Sequence, residues 1–317
     1  MGQQNPTVMI SLGGNAISPK NESGTIDEQF AHTRESLTAV MGFVKRRYNI
    51  CISHGNGPQV GAELQRNELT QDVIPPLPLG VLVANTQGAI GYMIQQSLQN
   101  ALYTEDANRE VVSIISQVKV DKNDPALKEP RKYIGKSYNK KTAHELAEKH
   151  GWNVKEQESN IWRRVVPSPK PLYIFNGKSI KHLVNYGTIV IAGGGGGIPS
   201  YNDSDGILHG LDGVIDKDYS AALLGRIIRA DELFMITDVD NVYLNYNKEN
   251  QKKLDRCTVS EAEKFLEEGH FGVGSMEPKI KSAIYFLEHY GKKVVLTSLK
   301  KLEDALEGNS GTTITKD

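Results

Sequence analysis

Two lysines stand where lysine is a poor structural choice: Lys217 in Ile215-Asp216-Lys217-Asp218, and Lys279 in Met276-Glu277-Pro278-Lys279. Each falls at the expected start of a helix, where the helix dipole disfavours a cation by about 0.3–1 kcal/mol at exposed sites. A phosphate bound between ammonium and helix end would reverse that sign, although either lysine alone could equally reach solvent along its aliphatic stem. A second feature turns the pair toward phosphoryl transfer. Three times an apolar strand runs straight into a glycine cluster: Val8 to Leu12 into Gly13-Gly14-Asn15, Ile50 to Ser53 into His54-Gly55-Asn56-Gly57-Pro58, and Ile189 to Ala192 into Gly193 through Gly197. Glycine lets the backbone approach a ligand closely, and free amide N–H groups at a helix start form an anion pocket. Ordering consecutive glycines costs roughly 1–2 kcal/mol of backbone entropy per residue, so the longest run needs a use. Val190-Ile191-Ala192 leads into it and Ile198-Pro199 closes it, whereas a linker is polar on both sides. Small anions and phosphates are the expected ligands, with Lys and Mg²⁺ balancing the charge of a migrating phosphoryl group.

The elements that must carry these residues alternate between strand and helix, which predicts an α/β fold with a mainly parallel sheet covered on both faces. A capping box at Thr25-Ile26-Asp27-Glu28 opens a helix with Phe30, Leu37, Val40, Met41 and Val44 as its buried stripe. Asn85 to Tyr103 predicts another, with Ile90, Met93, Ile94 and Leu98 on one side. Val111 to Val118, Leu233 to Thr237 and Lys293 to Thr297 read as buried strands, and Thr312-Thr313-Ile314 as a last one. Thr258-Val259-Ser260-Glu261 caps a short helix that Gly269 ends, and Ile280 to Tyr290 forms one that Gly291 ends. Residues 119–170 break the rhythm: apolar periodicity fades, Lys and Arg outnumber Asp and Glu, and both tryptophans, Trp152 and Trp162, fall inside. A segment this long is an inserted lobe rather than a loop. It reads as a lid over an anionic site, as a solvated lobe with a small private core on the tryptophans, or as both.

Composition removes whole classes of function. With 317 residues and 38% hydrophobic content the chain can form one large α/β domain with a lobe, or two smaller domains. A formal charge of −1 gives no reason to expect nucleic acid or membrane as a partner, and no apolar run is long enough to span a bilayer. The opening Met-Gly-Gln-Gln-Asn-Pro lacks the features of a signal peptide, and the two cysteines, Cys51 and Cys257, read as buried thiols, so a cytoplasmic protein is expected. The sequons at Asn21 and Asn202 are then chance matches. Gly135-Lys136-Ser137 and Gly177-Lys178-Ser179 imitate the end of a P-loop, but Pro130 and Leu172 occupy the upstream glycine positions. Gly55, Gly57 and Gly61 imitate a dinucleotide fingerprint without the strand and acid that should follow. Asp238 and Asp240 suggest a calcium loop, which Val242 interrupts, and the histidines show no zinc spacing.

Val8 to Ala16, Ser53 to Gly61, Gly193 to Pro199, Val214 to Asp218 and Gly274 to Lys281 together resemble the carbamate kinases of the amino-acid kinase superfamily, over nearly the whole chain. The resemblance implies a three-layer sandwich, with the carbamate and phosphoryl site in the N-terminal half, the nucleotide site over about residues 188–317, and a small lid lobe. It implies transfer between ATP and carbamate, giving ADP and carbamoyl phosphate, commonly run backward in cells to make ATP during arginine breakdown. In most superfamily members a lysine two residues before the first glycine pair touches the γ-phosphate. Here that place holds Ser11, as in carbamate kinases, where the lysine of Asp-Lys-Asp takes over. By the same resemblance Gly13, Gly14, Asn15, Gly55 and Asn56 hold carbamate and the moving group, and Lys217 and Lys279 stabilise the transition state. Asp218 orients both lysines, and Lys132 reaches in from the lid. Gly194, Gly195 and Gly196 support the phosphates; Tyr243 and Met276 contact adenine. Asp216 joins the nucleotide side or only caps its helix, Tyr243 is alternatively a core aromatic, and His54 a hydrogen-bonded turn residue. Mg²⁺ carried by the nucleotide and a homodimer are further implications. Where the family surrounds the lid lysine with prolines, this chain reads Arg131-Lys132-Tyr133-Ile134-Gly135-Lys136, which leaves Arg131 able to share the role; Glu277 replaces a common glycine. Another small-carboxylate acyl-phosphate kinase, or a nucleotide-binding regulator without turnover, are the alternatives.

Overall fold

Strand Thr7–Leu12 shows how the core is divided: Val8, Ile10 and Leu12 enter one apolar cluster and Met9 the other. Successive side chains of a strand point to opposite faces, so a strand buried on both faces reads as a continuous apolar run. The same split recurs in Asn49–His54, where Ile50 and Ile52 oppose Cys51, and in Glu232–Thr237, where Phe234 and Ile236 oppose Leu233 and Met235. Helices Ile26–Lys45 and Leu79–Thr104 cover one face through Leu37, Val40, Phe43, Ile90 and Met93. Helices Gly177–Tyr186, Lys217–Ile228 and Met276–His289 cover the other through Ile180, Leu224, Ala283 and Phe286. This is the three-layer α/β sandwich. The computed structural model describes residues 5–19 and 23–317; most of the N-terminal hexapeptide and the Asn21 sequon lie outside them.

The central sheet has eight strands, in the order Arg256–Thr258, Thr312–Thr315, Lys293–Ser298, Glu232–Thr237, Thr7–Leu12, Asn49–His54, Ile189–Ala192 and Val111–Ile114. All pairs are parallel except Thr312–Thr315 against Lys293–Ser298. Leu12 is in register with His54, so the first two glycine turns leave the sheet side by side at its carboxyl edge.

Three expectations are corrected. Val111 to Val118 is not one strand: Val111–Ile114 ends in the main sheet and Gln117–Lys119 begins a second, four-stranded sheet. The break falls at Ser116, whose N–H is taken by Gln87 Oε1 at 2.7 Å and whose hydroxyl accepts from Gly193 N–H at 2.9 Å. The helix expected from Asn85 starts at Leu79, after Pro78, and the one expected from Ile280 starts at Met276. The inserted lobe contains a three-stranded sheet of Lys132–Tyr138, Ile161–Val166 and Asn153–Glu158 with helix Lys140–His150, and Ala143 and Val165 are buried within it. Trp152 and Trp162 are half-buried, the first under the Arg164 guanidinium at 4.9 Å and the second beside the His144 ring at 4.8 Å. Ile134 and Val166 instead join Val60, Leu64, Leu79, Leu82 and Val83, so the lobe shares a core with two helices of the body.

Candidate active site

Alternation along Thr7–Leu12 turns Ser11 away from Ile10 and Leu12, toward helix Lys217–Ile228. There Lys217 Nζ donates to Ser11 Oγ at 3.2 Å and to Asp218 Oδ1 at 2.6 Å, while Ser11 Oγ donates to Asp218 Oδ1 at 3.3 Å. Lys279, from the first turn of helix Met276–His289, donates to Asp218 Oδ2 at 2.7 Å. One carboxylate thus holds two ammonium groups, all three side chains less than one-fifth exposed. Burial alone would raise the Asp218 carboxyl, but the charges of Lys217 and Lys279 and their hydrogen bonds outweigh it and hold it well below the usual range. Burial lowers the Lys217 ammonium, with Lys279 adding to that and Asp218 opposing it.

The cluster opens into a cavity of about 770 Å³. Gly13, Gly14, Asn15, Gly55 and Asn56 line it from the first two turns, and Lys132 from the inserted lobe. Asp216, Lys217, Asp218 and Lys279 line it from the far side, with Tyr243 and Met276 beyond them. Three helices begin at its wall: Gly57–Thr70 after Asn56, Lys217–Ile228 after Asp216, and Met276–His289 after Ser275. Each points the positive end of its dipole at the same space, which favours several phosphate charges, although the Asp218 and Tyr219 N–H groups of the second are already taken by Asp216. Asn56 sits at an N-cap position yet makes no cap hydrogen bond; its Nδ2 donates to Thr86 Oγ1 at 2.9 Å, which fixes the amide facing the cavity.

The glycine run is divided by the structure. Gly195 lines the cavity, whereas Gly194 and Gly196 are not among the lining residues and pack behind it, against His54 and the Ile215 carbonyl. His54 also stays out of the cavity, with Nδ1 at 3.0 Å from the Gly55 carbonyl, the turn histidine of the plainer alternative. Tyr243 belongs to the lining, not to a core cluster. Asp216 both caps its helix and accepts from Lys132 at 3.1 Å. Two residues escaped the sequence reading. Ser11 stands out in the sequence only for the lysine it replaces, and strand alternation is the signal for its direction. Asp238, which in the sequence suggests only a broken calcium loop, follows strand Glu232–Thr237 at the same sheet edge, lines the cavity and accepts from Asn15 Nδ2 at 2.7 Å.

The family model described as the amino acid kinase family matches residues 6–298. The chain belongs to the amino acid kinase family. Within it, the chain is 44% identical over 310 residues to the carbamate kinase of Pyrococcus horikoshii, covering 97% of this chain and 98% of that protein. It is 40% identical over 309 residues to that of Trichomonas vaginalis, covering 97% and 98%. The solved carbamate kinase of Giardia lamblia bound to AMP-PNP superposes with a TM-score of 0.92 at 37% identity, covering 99% of each chain. The two departures from the branch pattern fall differently in this amino acid kinase. Arg131 is exposed, pairs with Glu129 and lies outside the cavity lining, so only Lys132 reaches in from that pair. Glu277 pairs with Lys281 on the exposed side of its helix, clear of the cavity that Met276, Pro278 and Lys279 line.

Proposed function

We propose that the chain is an ATP-dependent carbamate kinase in which Lys217 and Lys279, held on the single carboxylate of Asp218, neutralise the phosphoryl group as it passes between ADP and carbamate. That three-residue cluster, at the mouth of two glycine turns, is the observation that carries the reading. Carbamate is already an anion, so its oxygen attacks the γ-phosphorus without a general base, and catalysis reduces to alignment and charge neutralisation. The lining agrees: among the described residues its one histidine, His270, is engaged by Asn245 at 3.0 Å and Glu268 at 2.9 Å. Gly13, Gly14, Asn15, Gly55 and Asn56 hold the acyl phosphate end by amide donors, Gly195 backs the transferred phosphate, and Tyr243 and Met276 take the adenine end. The carbamate and phosphoryl site thus falls to the N-terminal half, the nucleotide to residues 188–317, and the lid to residues 119–170.

The donor set fits a magnesium ion held chiefly by nucleotide oxygens. Among the described residues no group of three or more His, Cys, Asp or Glu could hold a metal, Asp216 and Asp218 are already paired with lysines, and Asp238 alone of these carboxylates has no cation beside it. Such an ion, carried in with the nucleotide, would supply positive charge against the phosphates that Lys217 and Lys279 face. ATP synthesis from carbamoyl phosphate is the proposed direction, in a cytoplasmic homodimer serving arginine breakdown; among the described residues no helix is long and apolar enough to cross a membrane.

The test is ATP formation by the purified protein from Mg-ADP and carbamoyl phosphate, with acetyl phosphate and enzyme-free mixtures as controls. ATP well above both controls is the expected result. A preference for acetyl phosphate would identify a sibling acyl-phosphate kinase, and nucleotide binding without turnover would identify a regulator.

A further inference from the structure

The carboxylate of Asp216 is divided between two tasks. Oδ1 accepts from the backbone N–H groups of Asp218 at 3.0 Å and Tyr219 at 3.2 Å and closes the start of helix Lys217–Ile228. Oδ2 accepts from Lys132 Nζ at 3.1 Å, across 84 residues of chain. Lys132 begins the first strand of the lid lobe, so the lid's cation is fixed to the same helix end that carries Lys217 and Asp218. We propose that Asp216 is a positioning residue that holds Lys132 of the lid over the phosphoryl site, beside the Lys217, Asp218 and Lys279 cluster. The inference rests on the carbamate kinase reading of the cavity.

Other polar ties hold the lobe to the body independently of Asp216, among them the Val214 N–H to the Pro167 carbonyl at 3.0 Å and Lys170 over the Tyr219 ring at 5.3 Å. Tyr138 donates to Glu68 at 2.8 Å, Lys136 stands 3.7 Å from the same carboxylate, and Arg164 lies 3.3 Å from Asp212. None of Tyr138, Glu68, Lys136, Arg164 and Asp212 lines the cavity, and Ile134 and Val166 are buried against the body. Loss of the Asp216 charge therefore leaves the lobe docked and changes only where the Lys132 ammonium spends its time. The Lys132 side chain is 42% exposed and ends in a long flexible stem, so without a partner it sweeps solvent. Two aspartates two residues apart thus distribute three lysines around one site.

Asp216→Asn separates the two tasks, because asparagine is as good an N-cap as aspartate but offers Lys132 no anionic oxygen. Asp216→Ser keeps the cap with a shorter side chain and serves as the second variant. The expected result is a thermal midpoint close to wild type, an unchanged KM for ADP, and kcat/KM for carbamoyl phosphate lowered about three- to tenfold. In a Lys132→Ala background either substitution should add nothing further. An equal additional loss in that background, or no loss with Lys132 intact, would overturn the positioning role. A wild-type protein inactive with carbamoyl phosphate would instead overturn the substrate reading beneath it.

Discussion

Lys279 Nζ stands 2.7 Å from Asp218 Oδ2 across 61 residues of chain. The contact ties the start of helix Met276–His289 to the start of helix Lys217–Ile228, and Lys217 occupies the other oxygen of the same carboxylate. Removing one partner of such a buried arrangement leaves charge without compensation, a cost of about 3–5 kcal/mol where desolvation is complete. Asp218→Asn keeps the shape and removes the charge. It should lower stability by on the order of 3 kcal/mol, read by urea unfolding, and lower kcat about 10²–10³-fold, as expected for loss of preorganised electrostatics. An active Asp218→Asn enzyme with both lysines in place would show that the carboxylate does not organise them.

Acid should destabilise the fold through His54. Burial pushes its imidazole down from 6.5 to about 4, with Lys217 adding to the effect and the Gly55 carbonyl opposing it. Between those values the unfolded chain binds more protons than the native one. Stability is therefore fully present above about 6.5 and is lost as pH falls toward 4, by on the order of 3 kcal/mol. Asp218 acts in the same sense at lower pH: its depressed carboxyl contributes stability that is present above the ordinary carboxylate range and lost below it. Urea midpoints measured across this range should fall for the wild type and flatten for His54→Gln.

Gly55 has no room for a side chain. A Cβ there would stand 2.8 Å from Gly14 N and 3.0 Å from Gly14 Cα, both backbone atoms, so the two turns would have to part. Overpacking of this kind costs about 1–3 kcal/mol, and displacing aligned donors by a fraction of an ångström to an ångström costs up to about 10²-fold in rate. Gly55→Ala should lose kcat/KM for carbamoyl phosphate by about that factor while still binding ADP, measured calorimetrically. Gly88→Ala is the control, since a Cβ there meets nothing within 4 Å on an exposed helical position; it should be neutral or gain up to about 1 kcal/mol.

Much of this site was legible in the chain because its parts are local. Thr25 and Thr258 cap their helices with the expected capping boxes, and the glycine turns follow the apolar strands they end. The lysines Lys217 and Lys279 sit in first helical turns, as their neighbours implied. What the sequence hid depends on distant pairing. The strand expected over Val111 to Val118 breaks because Gln87, from a helix 29 residues earlier, captures Ser116. Ile134 and Val166 of the lobe find their partners on body helices, which local periodicity cannot reveal. Asp238 shows its role only once strand Glu232–Thr237 is seen to lie beside Thr7–Leu12, where it meets Asn15. The hydrogen bond from Lys132 to Asp216 likewise spans 84 residues and has no local signal.

The most direct test of charge neutralisation by the lysine pair is Lys217→Ala, with kcat for ATP formation and the Kd for ADP measured on the same preparation. Lys217 touches Ser11 and Asp218, and under the proposed role kcat should fall about 10²–10³-fold while the Kd for ADP changes little. Equal losses in kcat and ADP affinity would contradict a role confined to the transition state and would make Lys217 a general anchor for the nucleotide.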